Sequence, residues 1–454
     1  MSTNSKNSTD VNYYSGGLAE LVPSPSALTY SFLADWFSGK ASLGKAMKLL
    51  QMPYQEVDLS VLRLQDGELV VDLTNEEQAL YQQTIFKYKN RNDIHTAPAL
   101  VIDLTRIINP ICLMNTIRIV LVQSKWIANS EATVETTRKL VDSIPDEEIG
   151  TTVQEIDELL KNKVWPNVIA IGLISEFYNQ LLIKDAKMNL AEVNKYISNM
   201  IAKGDWFFRS IADQAEVKDN KMSFTEYIKK YGLRADKDYE IASPRWYEMQ
   251  EKIKKRIENN SGNRPSQNVA LDVDGKLQKI IDASISLQLL RSESKRKALV
   301  HINHLREAIL KVTGGKTDIS TITKQQLLNG KFVEEPQTEN GTEKKKIINT
   351  SSILSGMGVS VSQGEATGLT KHILDNDMDV PKGTIGIFPN ASPEFAIQYP
   401  KCNGMIFLKG GQTSHGAIVA REFGIPAVID SKAQDISDNS KIELNGTTGK
   451  WQIL

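Results

Sequence analysis

GGQTSHGAIVAREFGIPAVI, residues 410–429, arranges a full set of helix signals around one histidine. Gly410 and Gly411 permit positive φ and close backbone approach. Thr413 and Ser414 are types that cap helix N-termini, and the run from Gly416 to Phe423 carries a helical pattern. Gly424 suits the position after a helix end, and Pro426 blocks continuation. His415 therefore stands at a helix mouth. First-turn amides and the positive dipole end attract anions there and disfavour imidazolium. A neutral, nucleophilic imidazole beside an anion site suits a histidine that becomes phosphorylated. On spacing alone, a histidine that merely caps a turn is an equal reading.

On either side of this stretch, short apolar runs are bounded by Gly and Pro: GTIGIF from 383, GMIFL from 404, PAVI from 426, KIEL from 441 and KWQIL from 450. They predict a compact domain of strands with one or more helices over 349–454. The preceding EEPQTENGTEKKK, 334–346, has charge, Gly and Pro without an apolar period, which places a linker at 334–348. From 18 to 333 the pattern is mainly helical. Apolar residues recur at three and four residue spacing in Glu155 to Lys163, Ile169 to Leu182, Leu190 to Ala202 and Leu271 to Leu310. LQDGELVVDL, 64–73, is the exception and predicts a small hairpin or edge strand. Residues 1–17, rich in Ser, Asn, Thr and Asp, read as a tail with little to bury. The fold class expected is multidomain, a large mainly α-helical domain followed by a compact α/β domain.

At 454 residues, two or three domains are expected. The 54 basic residues balance 55 acidic ones, which argues against a general nucleic-acid or anionic-membrane binder. Two cysteines, Cys112 and Cys402, are too few for a disulfide framework or a thiolate zinc site, and a reducing cytoplasm is the compartment expected. The N-terminus lacks a signal-peptide pattern, and no run approaches the roughly 20 apolar residues of a membrane span. His301 and His304 lie three apart in a helical pattern without further ligands, so no metal site is expected.

The segment around His415 resembles the signature of the swivelling phosphohistidine domain of phosphoenolpyruvate-utilising enzymes. That signature runs from a Gly-Gly through Thr-Ser-His and an Ile-Val-Ala-Arg-Glu helix to Gly-Ile-Pro-Ala-Val. The likeness extends through GMGVSVSQGEATGLT, 356–370, GTIGIFPNASPEF, 383–395, and KIELNGTTGKWQIL, 441–454, covering 349–454. It implies that His415 carries the phosphoryl group, that Thr413 orients ring or phosphate, and that Gly410, Gly411 and Ser414 shape the phosphate loop. Arg421, six positions on, is expected to pair at the helix end rather than bind phosphate.

Upstream, GLAELVPSPSALTYSFL, 17–33, and FTEYIKKYGLRADKDYEIASPRWYE, 224–248, resemble the helical acceptor region of the phosphoenolpyruvate synthase, rifampin phosphotransferase and glutamine kinase group. Leu233 stands where that group has a histidine able to help deprotonate the acceptor, which leucine cannot do. Arg234, Asp238, Tyr239, Glu240 and Arg245 remain as acceptor-binding candidates. An ion-pair lattice holding helix ends is the equal alternative. Arg291, Glu293, Arg296 and Arg306 are expected to form mainly helix-surface pairs.

The sequence shows neither an ATP-grasp module nor a phosphate-binding GxxxxGK[ST] loop. The resemblance therefore implies a phosphotransferase component with no cofactor of its own. A separate ATP-grasp subunit would hold ATP and Mg and pass the β-phosphate to His415, for delivery to a small-molecule acceptor in the helical domain. The alternatives are a noncatalytic or regulatory remnant of such an enzyme, or a fragment of a longer ATP-dependent kinase.

Overall fold

The computed structural model describes most of residues 24–49, 61–72, 153–185, 190–259, 271–329 and 355–454, with short pieces around 13–14, 86–88, 100–102, 105–114 and 135–139. The linker expected at 334–348 lies outside the described residues.

The helical part is built from α1 (Ala27–Trp36), α2 (Trp165–Asp185), α3 (Leu190–Gly204), α4 (Trp206–Lys218), α5 (Phe224–Tyr231), α6 (Gln250–Asn259) and α7 (Gly275–Val312). Short polar side chains start them. Ser26 accepts from Thr29 N at 3.2 Å, Asp205 from Phe208 N at 3.0 Å, and Asp274 from Lys276 N and Leu277 N at 2.9 Å. The 38-residue α7 is the spine, and α2 lies along it. A buried aromatic cluster of Phe32, Trp36, Phe37 and Trp165 closes α1 onto the same core.

The hairpin read at 64–73 is present as β2 (Leu62–Gln65) and β3 (Glu68–Asp72), antiparallel and in register from Leu62↔Val71 to Gln65↔Glu68. A third strand joins it from the stretch expected as a tail. Here β1 (Tyr13–Tyr14) pairs with β3, Tyr13 opposite Asp72. Two adjacent tyrosines fit a pleated surface far better than the Ser and Asn around them, so the tail reading does not hold at these positions.

The C-terminal part is one eight-stranded mixed sheet. Its strands are β6 (Ser355–Met357), β7 (Val359–Ser362), β8 (Glu365–His372), β9 (Thr384–Phe388), β10 (Gly404–Phe407), β11 (Ala427–Ile429), β12 (Lys441–Asn445) and β13 (Lys450–Ile453). (Strands β4, Phe86–Tyr88, and β5, Leu100–Ile102, pair separately.) The order is β6-β13-β12-β8-β9-β10-β11-β7. Strands β8 to β11 run parallel, which requires crossovers, and α8 (His415–Glu422) is the crossover between β10 and β11. Every residue of β9, β10 and β11 is buried, which is why they read as unbroken apolar runs rather than alternations. The N-terminus of α8 therefore opens at the carboxyl edge of the parallel strands, where open α/β sheets place their ligands.

Candidate active site at the docked histidine

Two glycines fix the histidine loop. Gly410 has φ +139°, and a Cβ there would lie 2.9 Å from Ala391 Cβ. A Cβ on Gly416, directly after the histidine, would meet the Phe407 ring at 2.9 Å, so only glycine lets α8 start this close to β10. Gly424, φ +63°, ends the helix as its spacing predicts, with Ile425 N bonded back to Ala420 O at 2.8 Å. Gly411 stands outside the set of glycines with positive φ and contributes its carbonyl instead.

Ser414 is the N-cap residue of α8 by position, but its hydroxyl does not cap. It turns back and donates to Gly411 O at 2.7 Å. Of the first-turn amides, Gly416 N is already bonded to Ala391 O at 2.9 Å. The helix mouth is thus braced by its neighbouring loop and is less open than the sequence suggested. Thr413 lies outside the described residues. Arg421, near the helix end, donates from Nε to Val361 O of β7 at 3.0 Å, and burial pulls its guanidinium down to about 10.

His415 itself is docked on the helical part. Its ring stacks on Phe208 of α4, with centroids 4.6 Å apart and planes at 17°. Although part of the residue reaches solvent, Nε2 is enclosed and has no hydrogen-bond partner. Burial, then the positive charges of Arg234 and Lys295, hold its pKa well below the usual 6.5. Neutral imidazole is therefore the resting form, as a nitrogen nucleophile requires. Because the folded value is depressed, docking is fully supported above pH 6.5 and loses stability as pH falls below it. Replacing Phe208 with Ala is predicted to raise the His415 pKa toward 6.5 by admitting water to one ring face. An NMR titration of the imidazole protons reads this, and an unmoved midpoint would remove Phe208 from the site.

All five acceptor candidates are buried, and Arg234, Asp238 and Arg245 touch one another. Arg234 makes an ion pair with Asp238 at 2.9 Å, donates to Ser210 Oγ at 2.6 Å, and lies between the Phe207 and Trp246 rings. Asp238 also accepts from Ala235 N at 2.8 Å. Arg245 donates from Nη1 to Asp238 O at 2.7 Å, while its Nε and Nη2 are buried without hydrogen-bond partners, and burial lowers it to about 10. Glu240 is committed elsewhere, accepting from Ser26 N, Ser26 Oγ, Thr29 Oγ1 and Ala242 N at 2.5 to 2.9 Å. Tyr239 reaches Lys295 O at 3.4 Å. Glu293 and Arg296 form the helix-surface pair anticipated, and Arg306 reaches Glu248 at 3.1 Å. Leu233, half-buried, adjoins Arg234.

Sequence reasoning missed Phe208, Asp205 and Lys295, whose signals are ordinary core and helix patterning. It also missed the contact between the two parts at Lys409 and Glu68, which form an ion pair. That pair borders a cleft of about 230 Å³ whose walls include Lys237 and Asp236 on one side and Asn376 and Asn390 on the other. Among the described residues no group of three metal-ligating side chains occurs, and no helix is long and apolar enough to cross a membrane.

Comparison with known proteins accords with this geometry. Residues 380–449 match the sequence model of the PEP-utilising enzyme mobile domain. A rifampicin phosphotransferase of Bacillus subtilis is 23% identical over 327 residues, 58% of this chain and 38% of that protein. A rifampicin phosphotransferase of Streptomyces sviceus is 33% identical over 101 residues, covering 22% of this chain and 12% of that protein. A probable phosphoenolpyruvate synthase of Pyrococcus horikoshii is also 33% identical over 101 residues, 21% of this chain and 12% of that protein. The chain thus spans well under half of the relatives it matches. Residues 380–449, which hold the docked histidine, are thus similar to the mobile domain of phosphoenolpyruvate-utilising enzymes.

Proposed function

We propose that this chain is a phosphotransferase component in which His415 receives a phosphoryl group at a nucleotide site and delivers it to a small molecule in the helical part. The observation that carries the reading is the seat of His415. A ring at the mouth of a family helix stacks on Phe208 and lies within the field of Arg234 and Lys295, whose positive charges suit a transferring phosphoryl group. The docked pose is the delivery station. The donor is an ATP-grasp subunit holding ATP and Mg, reached when the histidine domain swings away. Thr413 and Ser414 with Gly410 and Gly411 shape the loop around the phosphohistidine, and Arg234, Asp238, Tyr239 and Arg245 frame the acceptor side.

The test is mass spectrometry of the full chain, incubated with an ATP-grasp partner, ATP and a metabolite library. A phosphorylated metabolite together with AMP is the expected product. Consumption of ATP without phosphate ever appearing on His415 would overturn the reading.

A further inference from the structure

The histidine part meets the helical part through packing and through charge. The His415 ring stacks on Phe208, α8 packs along α3, and the Lys409 ammonium pairs with the Glu68 carboxylate. Packing is largely non-directional, whereas an ion pair between two anchored groups fixes register. Both ends of this pair are anchored. Lys409 directly precedes Gly410 in the histidine loop. Ala391 N donates to its carbonyl at 3.1 Å, and Gly416 N donates to the carbonyl of the same Ala391 at 2.9 Å. Lys409 and the first turn of α8 are thus held to one residue, and a displacement of either is passed to the other. On the opposite side Glu68 opens β3, whose Leu69 and Val71 are buried in the helical core. Asp72 N donates to Val61 O at 2.7 Å and Val61 N to Phe37 O at 3.4 Å, which ties the hairpin to the end of α1.

The pair is also built to break. Its side chains are 17% and 43% exposed, and it borders the cleft whose walls come from both parts. Asp236, which the helical part adds to that cleft, is engaged by Arg256 through bonds of 2.6 and 2.9 Å, which leaves Glu68 to receive Lys409. A part-exposed pair shifts an equilibrium by about fivefold at most. A fully buried one, such as Arg234 with Asp238, is far costlier to separate. A domain that docks and departs needs the weaker kind.

We propose that Lys409 and Glu68 are positioning residues, a breakable clasp that sets His415 in register over Phe208. Their part in phosphoryl delivery rests on the function proposed above. Because enclosure at the seat favours neutral imidazole, docking and protonation of His415 are linked. While the docked form predominates, each loss of about threefold in the docking constant raises the His415 titration midpoint by about half a pH unit.

The test is an NMR titration of the His415 imidazole in the full chain at low salt, for Glu68→Lys, Lys409→Glu and the two combined. Each single reversal replaces attraction with repulsion and is expected to weaken docking by about threefold or more, raising the midpoint by about half a pH unit or more. The combined variant restores an ion pair with its ends exchanged and should return most of the way to wild type. Unmoved midpoints in both single variants, or a combined variant displaced by the sum of the two, would overturn the clasp. Should a reversal lower the melting temperature, Glu68→Gln, Lys409→Gln and their combination decide through the same cycle. The combined shift is then expected to equal a single one, and a sum or no shift at all counts against the clasp. The titration needs no phosphoryl donor, so its failure leaves the phosphohistidine untouched. A chain that never takes phosphate at position 415 would instead remove the delivery role, with docking still readable from the titration.

Discussion

His415→Ala is expected to acquire no acid-labile, base-stable phosphate when mixed with labelled ATP and an ATP-grasp partner that labels wild type, while His304→Ala labels normally. The expected loss is complete, because phosphorylation needs a neutral ring nitrogen and, among the described residues, no neighbouring histidine supplies a second one. His304 sits inside α7 with Nδ1 enclosed and its ring edge-on to His301, without a glycine loop or helix mouth. His372 is bonded to Asp438 at 2.8 Å on the far reach of β8. His415 combines a glycine-shaped loop, an enclosed Nε2 without a partner and a pKa pushed down by burial. Label persisting in His415→Ala would place the phosphoryl group on another residue. A control separates chemistry from folding: the variant should retain the mixed sheet, since the ring packs against Phe208 of the helical part and not into the core between β10 and α8.

The parts of this protein legible in its sequence are those specified by local grammar. Gly424 and Pro426 end α8 where they should, and the buried parallel strands announce themselves as TIGIF, GMIF and AVI because both faces are covered. QDGE, 65–68, marks a hairpin by its Asp-Gly pair, and the strands on either side of it pair in register. What local grammar cannot carry is the direction of a side chain. Ser414 occupies the capping position, yet its hydroxyl prefers Gly411 O. Glu240 reads as a site carboxylate beside Asp238, yet it reaches back over 200 positions to clasp the start of α1. Phe208 and Asp205 lie in DWFFRS, which reads as a capped amphipathic helix and nothing more. The importance of Phe208 comes from its contact with His415 across about 200 residues of chain, and no spacing within either segment encodes it.

Arg234→Met is expected to destabilise the helical part by about 3 to 5 kcal/mol, the usual consequence of leaving one member of a buried ion pair without its partner. Arg234 and Asp238 are 2% and 5% exposed, so water cannot rescue the orphaned carboxylate. Phe207 O and Ser210 Oγ lose a donor as well, and the Phe207 and Trp246 rings lose the cation between them. Thermal or urea unfolding reads the loss directly. Arg234→Lys retains the charge but not the planar fork that serves Asp238 and Ser210 together, so it should recover only part of the stability. Arg234→Met combined with Asp238→Leu removes the pair instead of breaking it and should be less destabilised than Arg234→Met alone. The same guanidinium also disfavours imidazolium at His415, so even the stability-restored double variant should show a raised His415 pKa. A double variant with recovered stability and an unmoved His415 titration would confine Arg234 to the lattice that holds α4 to the 234–245 segment, leaving Lys295 as the positive charge that disfavours imidazolium at His415.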